Sequence, residues 1–153
     1  MSIQSQLAED MKAAMKAGDV VTRDAVRLIR SALGNAAIEK GARDGELTDE
    51  AATDVLAKMA KQYRDSIETY RNAGRDDLVA KEQAELDVVL RYLPQQLDEA
   101  AVRALVTAVI AQTGADGPAA KGKVMGALMP QVKGKADGSL VNRVVTEELA
   151  ALG

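Results

Sequence analysis

Apolar residues in this chain recur at intervals of three and four, and nowhere does an apolar–polar alternation of period two run for long. A strand needs period two and a helix needs 3.6, so the pattern admits helices and argues against a sheet. What fills the interior narrows the choice further. The sequence has no Phe and no Trp and only three tyrosines, Tyr63, Tyr70 and Tyr92, so the core must be built from Leu, Val, Ile, Met and Ala. Alanine lets helix axes approach closely, and the expected fold class is all-α.

Caps and stops divide the periodic pattern into seven segments. Ser2 offers an N-cap to a first helix with the stripe Ile3, Leu7, Met11 and Met15, and Gly18 ends it. A second helix starts near Asp19–Thr22, places Ala25, Leu28, Ile29, Ala32, Leu33 and Ala36 on one face, and closes at Gly41 and Gly45. Thr48 and Asp49 open a third helix with Val55, Leu56, Met59, Tyr63, Ile67 and Tyr70 on its stripe, ending at Gly74. The fourth runs from Asp76 to about Tyr92 and buries Leu86, Val89, Leu90 and Leu93. Pro94 disfavours the α conformation for Leu93 and stops it. Asp98 caps a fifth helix with the face Val102, Leu105, Val106, Val109 and Ile110. Pro118 sits in the first turn of a sixth that carries Val124, Met125, Leu128 and Met129 and is ended or kinked by Pro130. The last spans Ser139 to Leu152 on Leu140, Val144 and Leu149. The expected organisation is a four-helix N-terminal subdomain (1–93), a joint (94–97) and a three-helix C-terminal subdomain (98–153).

Several functions are excluded by absence. With no His and no Cys there is no thiol nucleophile, no imidazole base, no zinc site and no disulfide. Recognition of single-stranded bases by stacking needs exposed aromatics, which this chain scarcely has. No apolar run approaches the ~20 residues of a membrane span, so no membrane association is expected. The amphipathic N-terminus, MSIQSQLAEDMKAAMK, contains acidic residues and lacks the apolar core of a signal peptide. A cytoplasmic location is expected on that basis.

The stretch with a chemical message is Lys121–Val145, KGKVMGALMPQVKGKADGSLVNRVV. The chain has a net charge of −3, but within 115–143 five cations (Lys121, Lys123, Lys133, Lys135 and Arg143) face only Asp116 and Asp137, a local +3. Residues 117–123 satisfy the GxxxxGK part of a phosphate-binding loop. That motif also requires a preceding strand and a Ser or Thr after the lysine, but the preceding segment has helical spacing and Val124 follows. Nucleotide hydrolysis is therefore not expected. Gly122 and Gly126 are four apart, on one helix face, where each costs ~1 kcal/mol relative to alanine. A missing side chain permits close approach of another backbone, either a neighbouring helix, which is the first expectation, or a sugar-phosphate strand. In the second case the five cations supply sequence-independent phosphate contacts.

Carboxylates and hydroxyls add little. Glu82 and Glu85 are expected on a solvated face, and the adjacent Glu147 and Glu148 are expected to point in different directions. Ser31, Ser66 and Ser139 have no His to activate them. No catalytic residue, metal ligand or cofactor is expected.

GKVMGALMP followed by VKGKADGSLVN resembles the signature of the GatB/YqeY family, and YLPQQL with the N-terminal LAEDMKAAMKAGD resembles the remainder of a stand-alone YqeY-like protein. Lys121 departs from the acidic–hydrophobic pair expected ahead of GK. The resemblance implies a helical N-terminal subdomain and a small C-terminal one similar to the tail of the B subunit of the tRNA-dependent amidotransferase. That enzyme amidates Glu-tRNA(Gln) or Asp-tRNA(Asn), and its tail helps to hold tRNA. Carried over residue by residue, the motif falls on Gly122, Lys123, Val124, Gly126, Met129, Pro130, Lys133, Gly134, Ala136, Asp137, Gly138 and Val141. The kinase-like and amidase modules are absent, so carbon–nitrogen ligase activity is implied only together with partner subunits. The expected function is a tRNA- or structured-RNA-binding accessory, with an amidotransferase or aminoacyl-tRNA synthetase as a possible protein partner. A component of the amidating enzyme and a protein-binding helical adaptor are the alternatives.

Overall fold

A computed structural model describes residues 1–153 as an all-α protein. Its helices are α1 (Ile3–Ala17), α2 (Val20–Glu39), α3 (Asp49–Asn72), α4 (Asp76–Leu90), α5 (Glu99–Thr113), α6 (Lys121–Val132) and α7 (Gly138–Ala150), with a 3-10 turn at Pro118–Ala120. Four of the starts are fixed by side chains that accept the otherwise orphaned N–H three residues on. Ser2 Oγ takes Ser5 N–H at 3.1 Å, Asp19 Oδ1 takes Thr22 at 3.0 Å, Thr48 Oγ1 takes Ala51 at 3.1 Å, and Asp98 Oδ1 takes Ala101 at 2.8 Å.

The chain divides into two units, Met1–Pro94 and Gln95–Gly153. In the first, α1–α4 enclose Leu7, Val26, Ile29, Leu33, Leu56 and Val89, all inaccessible to solvent. Each such side chain contributes roughly 1.5–3 kcal/mol by leaving water. Ala25, Ala37, Ala52 and Ala60 are buried among them, as expected of a core without Phe or Trp. Two tyrosines are half-buried beside carboxylates: Tyr92 donates to Asp10 Oδ2, and Tyr63 lies near Glu85. Burial, followed by the neighbouring carboxylate, pushes both phenols up.

Two expectations for this unit need correction. Leu28 is 48% exposed, because the buried face of α2 is narrower than its apolar stripe. Glu82 and Glu85 do not stand on a fully solvated face. Both are partly covered, and burial together with Glu85 raises the Glu82 carboxyl above its ordinary range.

The second unit packs α5, α6 and α7 around Val102, Val106, Val109, Val124, Leu128, Val132, Val141, Val144, Val145 and Leu149. Pro118 opens the 3-10 turn, and α6 begins after it. Pro130 does not end α6, which continues through it to Val132.

Candidate nucleic-acid interface

One surface of the second unit is built from α6 and the turn that follows it. At 100° per residue, Val124, Leu128 and Val132 form the buried stripe of α6, Gly126 lies on the side away from it, and Gly122 and Met129 lie on the exposed flank next to Gly126. Lys123 and Pro130 border Gly126 and are also exposed. A methyl placed at Gly122 or Gly126 would meet no atom within 4 Å. The expectation that a neighbouring helix packs on these glycines is therefore corrected: nothing in the chain occupies the space they leave. Pro130 has no N–H to give the Gly126 carbonyl, so the stripe also lacks one intrahelical hydrogen bond.

The turn that closes α6 is built to hold two lysines still. Lys133 has φ −58° and ψ 124°, Gly134 has φ 74°, and Lys135 N–H donates to Val132 O at 2.8 Å. These values describe a type II β-turn, which requires positive φ at its third position and so favours glycine there. Its carbonyls are tied from behind. Leu97 N–H donates to Lys135 O at 2.7 Å, and Gln96 Nε2 donates to Gly134 O at 2.9 Å. Gln96 and Leu97 thus anchor the turn, a role that the sequence does not reveal because the partners lie 38 residues away along the chain.

Lys123, Lys133 and Lys135 are exposed and Lys121 is half-exposed. Lys121, Lys123 and Lys135 make no ion pair, and Lys123 and Lys133 lie ~15 Å apart along α6 at 1.5 Å per residue. Asp137 follows at the N-cap position of α7. Its backbone carbonyl accepts Val141 N–H at 3.1 Å, but its side chain makes no capping bond, and Oδ1 is buried without a partner. Gly138 is the exposed first residue of α7.

Arg143 has a different environment from the lysines. Its guanidinium bonds Glu99 and, at 3.2 Å, Glu147. Arg103 bridges the same helices, reaching Glu148 at 2.6 Å and Glu147 at 2.8 Å. Glu147 and Glu148 therefore converge on one guanidinium, contrary to the expectation that they diverge. Hydrogen bonds from Arg143 hold the Glu99 carboxyl below its ordinary range, and Arg103 followed by Arg143 does the same to Glu147. Three carboxylates around two arginines leave no positive excess there. The five cations that the sequence groups together thus divide into four lysines on α6 and its turn and one arginine neutralised between α5 and α7.

The comparisons with known proteins agree on one relationship. The model of a family described as Yqey-like protein matches residues 4–149. The chain is 34% identical over 149 residues to "Altered inheritance of mitochondria protein 41, mitochondrial" of Pyrenophora tritici-repentis, a match covering 95% of this chain and 80% of that protein. The like-named protein of Saccharomyces cerevisiae (strain YJM789) is 40% identical over 92 residues, which are 60% of this chain and 48% of the relative. That of Eremothecium gossypii is 35% identical over 89 residues, 58% of this chain and 48% of the relative. The matched part is thus about half the length of these last two proteins. The relatives' names correct the expectation of a cytoplasmic protein, since they point to the mitochondrion instead.

Proposed function

The chain belongs to the Yqey-like protein family, and from that premise we propose that it is an RNA-binding accessory protein, with tRNA as the favoured ligand. The observation that carries this reading is the α6 face: Lys123, without a carboxylate partner, borders a stripe on which two glycines leave the helix backbone bare, and Lys121 and Lys135 are also without one. A polyanionic strand gains from both features. The cations release its counterions, and the bare stripe lets its sugar-phosphate backbone approach closely. RNA adds a 2′-hydroxyl donor, which suits the Gly126 carbonyl left without an N–H from Pro130. The scarcity of exposed aromatics supports recognition of a folded RNA by shape and backbone over stacking on single strands.

The test is a tRNA titration by fluorescence anisotropy at several salt concentrations. Substitution of Lys123, Lys133 and Lys135 by alanine should weaken binding and flatten the log–log salt slope by about 0.7–0.9 for each phosphate left without its lysine. Unchanged affinity in the triple variant would sink the proposal. The purified chain alone, given glutamine, ATP and mischarged tRNA, should show no amidation. Turnover in that assay would replace the accessory reading with an enzymatic one.

A further inference from the structure

The lysine-bearing surface leaves the first unit without a task, and a groove between α1 and α2 supplies one. Two clefts run along this helix pair, one of about 470 Å³ that includes Met11, Met15, Arg27 and Arg30, and one of about 360 Å³ that includes Ala8, Arg30 and Gly45. Arg30 lines both, so the two clefts adjoin at its side chain. From Gln4 at one end to Met15 at the other, α1 advances ~16 Å at 1.5 Å per residue, which is about three turns of a helix laid alongside.

The adjoining clefts have apolar residues in their lining and a basic rim. Met15 is 63% exposed although it lies on the apolar stripe of α1; the buried Met11 lines the same cleft and the buried Leu33 lines the other. Methionines suit a surface that repacks around a partner's side chains. Arg30 has no carboxylate within ion-pair distance, and Arg27 reaches only Asp24 at 3.9 Å, which Arg23 already engages at 2.9 Å. The other charged group in the lining is Glu46, at the far end beside Gly45. Two under-paired guanidiniums beside these methionines form a half-completed contact: the missing half has apolar side chains at helical spacing and carboxylates at their edge.

We propose that the α1–α2 groove docks an acidic amphipathic helix of about three turns from a partner protein, with its apolar residues over Met11 and Met15 and its carboxylates on Arg27 and Arg30. A nucleic-acid strand gains nothing from the methionines, and a flat bilayer does not follow the concave lining between two helices. Those two polyanionic surfaces are the competing outcomes of the test.

The probe is a fluorescein-labelled, stapled 14-residue helix with leucines spaced three and four apart and glutamates beside them, titrated against the full chain by anisotropy. A peptide with lysines in place of the glutamates, a tRNA, and vesicles of phosphatidylserine and phosphatidylcholine serve as comparisons. The acidic peptide should bind and the lysine peptide should not. Arg30→Glu, an exposed change that leaves the core untouched, should weaken the acidic peptide by about tenfold and give the lysine peptide measurable affinity. A substitution in the cleft lining, Ala8→Leu, should weaken the peptide while circular dichroism and melting remain native-like. Equal binding of both peptides, or an acidic peptide indifferent to Arg30→Glu, would overturn the proposal. So would an Arg30-dependent preference for the tRNA or the vesicles over the peptide. None of these outcomes touches the lysine face of α6, so this inference and the RNA proposal stand or fall separately.

Discussion

Two faces of the second unit start from similar materials and arrive at opposite electrostatics. On the α5–α7 face, Arg103 and Arg143 are enclosed by Glu99, Glu147 and Glu148. On the α6 face, Lys121, Lys123 and Lys135 stand without a carboxylate partner, and the turn carrying Lys133 and Lys135 is held by backbone hydrogen bonds. The first face uses its cations to join two helices; the second holds them at the surface. A charge count along the sequence treats Arg143 and Lys135 alike, whereas pairing in space separates them.

The comparison can be broken in several ways, beginning with the largest expected effect. Leu128→Ala removes a fully buried side chain from the core beneath the lysine face and should destabilise the second unit by ~2–5 kcal/mol. Chemical denaturation would measure that loss, and RNA binding should fall with it as the face loses its support. The Lys123/Lys133/Lys135 triple alanine variant should retain its melting temperature and lose roughly one to two orders of magnitude in tRNA affinity at low salt. Arg143→Ala should do the reverse, lowering stability and leaving affinity within about twofold, because its charge is already neutralised by Glu99 and Glu147. Equal losses of affinity in the two variants would erase the distinction between the faces. Gly134→Ala forces a side chain into φ 74° and should cost ~1–2 kcal/mol, with a modest loss of affinity as Lys133 and Lys135 shift.

Acid should separate the faces too. Arg143 and Arg103 hold Glu99 and Glu147 below the ordinary carboxylate range, so both bind protons more readily in the unfolded chain. Their contribution to stability is therefore present above the unfolded value of about 4.3 and is lost as pH falls through the lower folded values. Amide exchange of α5 and α7 should accelerate as pH drops from about 5 towards 3, after correction for intrinsic rates, and 1 M salt at neutral pH should produce a smaller effect in the same direction. Exchange indifferent to both would mean that the network contributes nothing.

Much of the fold is legible in the sequence, because helices are announced locally. The caps at Ser2, Asp19, Thr48 and Asp98 act over three residues, and the apolar stripes repeat over four. Interactions that cross between helices leave no local trace. Arg103 meets Glu147 across 44 residues and Tyr92 meets Asp10 across 82, so no reading of spacing could assign them. Leu28 shows the limit of the stripe itself, since periodicity locates an apolar face but not how much of it a neighbour covers. The same holds for Gly122 and Gly126, whose spacing marks a bare line on α6 without saying whether a helix lies on it. Their exposure turns an apparent packing feature into an open surface.

The central claim is that α6 keeps its glycines for a ligand and not for its own packing, and Gly126→Ala tests it most directly. The added methyl meets no neighbour and relieves a mid-helix glycine, so the variant should be more stable by ~1 kcal/mol in denaturant titration. In the same preparation its tRNA affinity should fall, and Gly126→Leu should lower it further. Gained stability with undiminished RNA binding in both variants would contradict the account.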